Sequence, residues 1–260
     1  MPVLTSRQHP IVKEFRDLAK GGGPAMLLDG WHVVGEALAA GVTIDTLAVC
    51  GTLAVAERTI VDRARRTGTE ILDVADTVMN ALSPVKSPTG VVARAARPKL
   101  EAKVVLKPSP ALVLSAIGVQ DPGNVGAIIR AAAAAGCTGI MVDEDSADPW
   151  GWKALRASMG SVFHVPVIRN PNVMSSIDAC RTGGLQIVAA VPRNGTSMYE
   201  LDFSKPMALL LGAEGTGLPQ AMLKAADARV SIPMSASVES LNVAVAASLL
   251  LYEARRQRRR

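Results

Sequence analysis

The chain has 260 residues, 49% of them hydrophobic and 20% charged, with a formal net charge of +5. That apolar content supports a packed core and excludes a disordered chain; no apolar run approaches the ~18 residues that cross a bilayer, which argues against a membrane partner. Three scattered cysteines (Cys50, Cys137, Cys180) argue against a disulfide framework and a cysteine-rich zinc site and read as small core residues, and the three histidines are equally scattered with no H-E-x-x-H.

The N-terminus lacks the basic-then-apolar layout of a secretory signal, so a cytoplasmic location is the default expectation. Charge is unevenly spread. Residues 1–108 carry 14 Lys/Arg against 11 Asp/Glu, and residues 109–260 carry 14 against 12. Five of the latter basic residues are Arg255, Arg256, Arg258, Arg259 and Arg260. A basic N-terminal half and a basic tail suit phosphate contacts by flanking elements, although a terminal cluster also serves solubility and the helix dipole.

Taken in chain order, the pattern predicts helix over 7–19, strand over 25–28, and helix over 30–40 stopped by Gly41. It continues with strand 46–50, an Arg-rich helix 55–67, strand 70–74, a short helix 76–81 and strand 90–95. The Pro- and charge-rich stretch from Arg97 through Pro110 then reads as a linker. Beyond it, Ala111–Val119 is an apolar run of the kind that fills a parallel sheet. An alanine-rich helix over 125–135 ends at Gly136, the expected C-terminal glycine. Further strands are predicted over 139–142, 162–168, 186–191, 208–211 and 229–232, and the last helix over 242–257. Its apolar stretch, Val243–Leu251, reads as buried all round. Alternating strands and helices give an α/β fold: a smaller α/β domain over 1–96, a linker over 97–109 and a larger α/β domain over 110–260.

Three loops carry polar chemistry. In the first, Gln120 to Gly126, a Gly-rich strand-to-helix turn offers free backbone N–H groups to an anion. Asn124 is placed to cap the helix. Gly123 and Asp143 have the spacing of a dinucleotide-binding unit, but G-x-G-x-x-G is absent because Val125 and Ile128 stand at its glycine positions. Arg130 lies on the apolar helix that follows, where a buried guanidinium needs a partner or a ligand. The second loop, Gly212-Ala213-Glu214-Gly215-Thr216-Gly217-Leu218, permits close backbone approach to a ligand. Its Glu214 is placed to accept from a substrate or to hold Arg130. The third runs from Ile232 to Asn242. Ser237 or Ser240 reads there as a helix cap, and Asn242 is expected inside the first turn, where asparagine is a mediocre helix former. Polar residues ahead of an apolar helix suggest a pocket floor.

The ordered set N-x-G-x-x-x-R (Asn124, Gly126, Arg130), G-A-E-G-x-G-L (Gly212–Leu218) and I-P-M…S-L-N-V-A-V-A (Ile232–Ala246) is more specific than any one loop. It resembles the SpoU-type (TrmH-like) branch of the SPOUT RNA methyltransferases. Arg156 to Ser161, followed by Val165-Pro166-Val167, fits that family. Gly30–Gly41 and Ser87–Ala93 resemble its ribosomal-protein-like RNA-binding domain, with Thr89 where glutamine is common. The resemblance implies a trefoil-knotted C-terminal α/β methyltransferase domain, a homodimer, and S-adenosylmethionine as methyl donor with no metal. It places the adenosyl part at the backbone of Leu211, Gly212, Ile232, Met234 and Leu241. Arg130 is the residue it implicates in activating a ribose 2′-hydroxyl, with Asn124 and Glu214 fixing it and Ser240 and Asn242 shaping the pocket. The implied substrate is a structured RNA, with ribosomal RNA favoured over transfer RNA. The rival readings are a nucleotide-dependent oxidoreductase built on Gly123 and Asp143, and a non-catalytic RNA- or ribosome-binding protein of the same fold.

Overall fold

The computed structural model describes residues 3–101, 103–106, 110–169 and 172–259. Ala102, Lys107, Pro108 and Ser109 of the predicted linker, and Arg260 of the basic tail, lie outside the described residues. The chain divides into two compact units, one of residues 1–98 and 150–163, the other of residues 99–149 and 164–260. Segment 150–163, placed with the C-terminal domain in the sequence reading, packs with the N-terminal elements.

The first unit contains α1 (Pro10–Lys20), β1 (Ala25–Asp29), α2 (Trp31–Ala39), β2 (Ile44–Val49), α3 (Val55–Arg66), β3 (Glu70–Asp73), α4 (Asp76–Leu82) and β4 (Val91–Ala96). Its four-stranded sheet has the order β1-β4-β2-β3, with β4 antiparallel to both neighbours. Phe15, Leu27, Val78, Met79 and Val92 form the centre of its core. Trp152, from the later segment, packs against that core, and Arg156 pairs with the buried carboxylate of Asp29 at 3.1 Å.

The second unit is built on a seven-stranded parallel sheet. Its elements begin with α5 (Lys103–Leu106), β5 (Leu112–Ala116), α6 (Pro122–Ala135) and β6 (Gly139–Val142). After α7 (Trp152–Ala157), which belongs to the first unit, come β7 (Val167–Arg169), α8 (Val173–Thr182), β8 (Gln186–Ala190) and β9 (Thr196–Ser197). The unit closes with β10 (Met207–Leu211), α9 (Gln220–Ala225), β11 (Ala228–Ser231) and α10 (Val243–Arg258). The strand order is β7-β6-β5-β10-β8-β11-β9. Every residue of the central strands β5 and β10 is buried, which is why both read as apolar runs, broken in β5 only by the small Ser115. The chain leaves β5 toward β6 on one side and leaves β10 toward β11 on the other. Their loops diverge, and a crevice at the carboxyl ends of such strands is where parallel α/β sheets bind ligands.

Four expectations need correction. The strand predicted over 162–168 is a 3-10 turn at Ser161–Phe163 followed by a strand that starts only at Val167. Proline at 166 cannot donate to a sheet ladder, which fits the late start. The predicted linker contains α5, whose Val105 is fully buried in the second core, and Thr138 Oγ donates to its carbonyl at 3.0 Å. The final helix is not buried all round: Val245, Leu249 and Tyr252 are 48%, 41% and 53% exposed. The basic tail, finally, is partly turned inward. The Arg258 guanidinium donates to the carbonyls of Pro110, Ala111, Phe203 and Lys205, at the amino ends of β5 and β10, and Arg256 grips Glu253. Arg258 thus ties α10 to the amino ends of these central strands, opposite the three polar loops, whereas the Arg256 pair stays within α10. Helices α7, α8 and α9 and the two-residue β9 had no counterpart among the predicted elements.

Candidate active site

The three polar loops leave the carboxyl ends of β5, β10 and β11, and the structure joins them through side-chain amides. Asp121 caps α6 by accepting from the Asn124 backbone N–H at 2.9 Å. That corrects the expected cap and leaves the Asn124 side chain free to face the other loops. Its Nδ2 donates to Glu214 Oε1 at 3.0 Å. Asn242 is not inside the first turn of α10 but is its N-cap, with Oδ1 accepting from Ala244 and Val245 at 3.0 and 3.2 Å. Its Nδ2 donates to Glu214 Oε1 at 2.7 Å and to Asn124 Oδ1 at 3.1 Å. Asparagine alone among good caps can do both, because serine has a single donor and aspartate none. The Val243 N–H, which sequence reasoning missed, reaches the same Glu214 oxygen at 3.3 Å. Among the described residues, Glu214 Oε2 has no partner, and the residue is exposed.

Beside this triad lies a cleft of about 490 Å³, within the size range of small-molecule sites. Leu211, Gly212, Ile232, Met234 and Leu241 all line it, as do Glu214, Ser240 and Asn242. Gly212 is obligatory here: a side chain at that position would run into the backbone of Gly217 and Leu218, which fold back over it. Gly217, at φ +68°, makes that return possible and donates to the Ala213 carbonyl at 2.9 Å. Val191, Pro192 and Leu250 add further walls that no motif had marked.

The atoms of the cleft suit an adenosyl group. Its walls are mostly aliphatic, as suits a purine face. Among the described residues, the backbone N–H groups of Met234 and Leu241 donate to no other atom of the chain, so they remain available to a ligand.

Arg130 is not brought to the triad. It is exposed on α6 rather than buried, and among the described residues it makes no hydrogen bond or ion pair. Glu214 therefore holds the two asparagines and not Arg130. The dinucleotide rival loses its acid as well. Asp143 is buried and accepts from the Gly118 N–H with both oxygens, and from the N–H and hydroxyl of Ser146. A carboxylate so occupied has little left for a ribose.

The SpoU rRNA Methylase family model matches residues 111–252, and an MRM3-like substrate binding domain matches residues 22–93. The chain is 33% identical to the 23S rRNA (guanosine(2553)-2′-O)-methyltransferase RlmP of Bacillus subtilis, covering 98% of this chain and 100% of that one. It is 34% identical to an uncharacterized tRNA/rRNA methyltransferase of Synechocystis, over 98% of this chain and 93% of the relative. The crystal structure of an AdoMet-bound rRNA methyltransferase from Sinorhizobium meliloti superposes with a TM-score of 0.88 at 31% identity, covering 98% of this chain and 97% of that one. The fold, the joined loops and these likenesses agree: the chain belongs to the SpoU rRNA methylase family.

Proposed function

We propose that the protein transfers a methyl group from S-adenosylmethionine to a ribose 2′-hydroxyl of ribosomal RNA in the cytoplasm. The observation that carries this reading is the Asn124–Glu214–Asn242 network at the rim of an apolar cleft. When bound, S-adenosylmethionine supplies a methyl already made electrophilic by its sulfonium. The chain must then bind, orient and assist departure of one proton. Leu211, Gly212, Ile232, Met234 and Leu241 hold the adenosyl part through walls and backbone. Glu214, locked on one oxygen by three donors, presents the other toward incoming groups, and Ser240 shapes the same rim. Orientation of this kind can contribute ~7–11 kcal/mol. Arg130 keeps its charge at any ordinary pH, so its role is to orient the ribose or adjacent phosphate and to stabilise the developing alkoxide.

Ribosomal RNA is favoured over transfer RNA because relatives alike over the whole length include one named for 23S rRNA. A homodimer belongs to the same proposal. Val245, Leu249 and Tyr252 recur at i, i+4 and i+7 and leave an apolar stripe on α10, which packs along α6. A second copy of the chain would cover that stripe, and Arg130, without a hydrogen-bond or ion-pair partner among the described residues, then takes its position from the assembled dimer or the RNA. The trefoil knot is also proposed on the resemblance.

The test incubates the protein with methyl-labelled S-adenosylmethionine and unmodified total RNA, followed by fractionation and alkaline hydrolysis. Label in alkali-resistant dinucleotides of the ribosomal fraction is expected. Label in transfer RNA would move the substrate, and label in mononucleotides would mean base methylation. Cofactor binding without label in any RNA or assembled subunit would favour the non-catalytic rival.

A further inference from the structure

The loop from Pro233 to Leu241 supplies Met234, Ser240 and Leu241 to the lining of the cleft, yet almost nothing holds it. Residues 235–240 are all exposed, while Met234 and Leu241 at the loop's two ends line the cleft. Inside the loop there is one backbone bond, Val238 N–H to Ser235 carbonyl at 3.0 Å, and a Ser235–Ser237 hydroxyl contact at 3.3 Å. Among the described residues, the loop's hydrogen bonds to the rest of the chain come from one side chain. The Arg193 guanidinium donates to the carbonyls of Val238 at 3.1 Å and Ala236 at 3.4 Å.

The turn that carries Arg193 is, by contrast, firmly seated. Val191 N–H donates to the Val230 carbonyl, and Ser231 Oγ donates to the Gly195 carbonyl, both at 2.9 Å. Gly195 lies so close to the backbone of Val230 and Ser231 that a side chain there would collide with it. Asn194 takes the left-handed conformation at φ +61°, which asparagine tolerates and which turns the chain back toward β11. Val191 and Pro192 are themselves walls of the cleft. Arg193 therefore connects a rigid wall to a loosely held one.

We propose that Arg193 is a positioning residue that latches loop 233–241 and so pre-orders the cofactor cleft. The proposal rests on the cofactor reading above and adds a residue outside the three family motifs. The physical reason is entropic. A ligand that had to order this loop itself would spend binding free energy on it, and a latch made beforehand removes that cost.

The experiment compares full-length wild type with Arg193→Met, which keeps the stem and loses the donors, and Arg193→Lys, which keeps one charged donor. Two readouts are needed. The first, without ligand, is cleavage by a glutamyl endopeptidase at Glu239, within the loop, relative to cleavage at the exposed Glu200 outside it. The second is S-adenosylhomocysteine affinity by calorimetry. For the methionine variant we expect about ten-fold faster relative cleavage at Glu239 and about ten-fold weaker binding, equivalent to ~1.4 kcal/mol, with lysine restoring part of both. Unchanged relative cleavage overturns the latch. Weaker binding with unchanged cleavage also overturns it, because the arginine would then be touching the ligand directly. If wild type binds no S-adenosylhomocysteine, the cofactor reading falls, and with it the role given to the latch, whatever the cleavage rates show.

Discussion

Two carboxylates follow strands of the same sheet, and they are held in opposite ways. Asp143, after β6, is buried and spends both oxygens on the backbone and hydroxyl groups of nearby residues, Gly118 and Ser146. Glu214, after β10, is exposed and is held on one oxygen by donors from α6 and α10. The first joins its own turn to the turn after the neighbouring strand β5 and leaves neither oxygen unused. The second ties together three loops that are distant in sequence and keeps an acceptor free. Position after a strand therefore says little about which acid meets a ligand; what matters is whether it is exposed and keeps an oxygen without a donor. By that criterion Asp143 is architecture, and Glu214 is the acid available to the proposed site.

The largest effect is expected from Arg130→Ala, at the polar position that neither carboxylate holds. Removing the charge proposed to stabilise the developing alkoxide should cost about 10²–10³-fold in methyl transfer, with S-adenosylhomocysteine affinity changed less than a few-fold. Single-turnover rates and calorimetry measure the two quantities, and full activity in this variant would remove Arg130 from the site. Next comes Asp143→Ala, which removes the acceptor of the buried Ser146 N–H and the half-buried Gly118 N–H. It should lower stability by about 2–4 kcal/mol, or roughly 5–15 °C in Tm for a chain of this size, with activity per folded molecule retained. A loss of activity without loss of stability would erase the contrast with Glu214.

Glu214→Gln should behave in the reverse sense. The amide can still accept from the asparagines, so stability should change by less than ~0.5 kcal/mol, while methyl transfer falls about ten-fold. The comparison would be sharpened further if Glu214→Gln also weakened cofactor binding, since that would assign the free oxygen to the donor rather than to the ribose. The smallest effect concerns thiols. Burial pushes Cys137 up to about 12, slightly offset by Arg258, and Cys180 up to about 11. A raised pKa keeps the unreactive thiol form until pH approaches that value, so iodoacetamide at pH 8 should leave both unlabelled in the native protein. Labelling followed by mass spectrometry should rise in Asp143→Ala and stay at the wild-type level in Glu214→Gln.

Much of this protein was legible in its sequence because the signal was local. The apolar runs of β5 and β10 announce a parallel sheet, since a strand covered on both faces is apolar along nearly its whole length. Gly136 ends α6 in the left-handed conformation, as glycine most readily does. The three motifs identify the family because their residues keep fixed order and spacing. Tertiary structure decided the rest. No local rule says that Asn242 both caps α10 and reaches Asn124, because those residues are 118 positions apart. The exposure of Arg130 could not be read from its apolar neighbours, because a helix packed on one face still leaves another open. Segment 150–163 packs with the N-terminal unit through Trp152 and Arg156, although its sequence neighbours belong to the other. Backbone preference and apolar periodicity act over a few residues; which side chains finally meet depends on how whole elements pack, and that is decided only when the chain is folded.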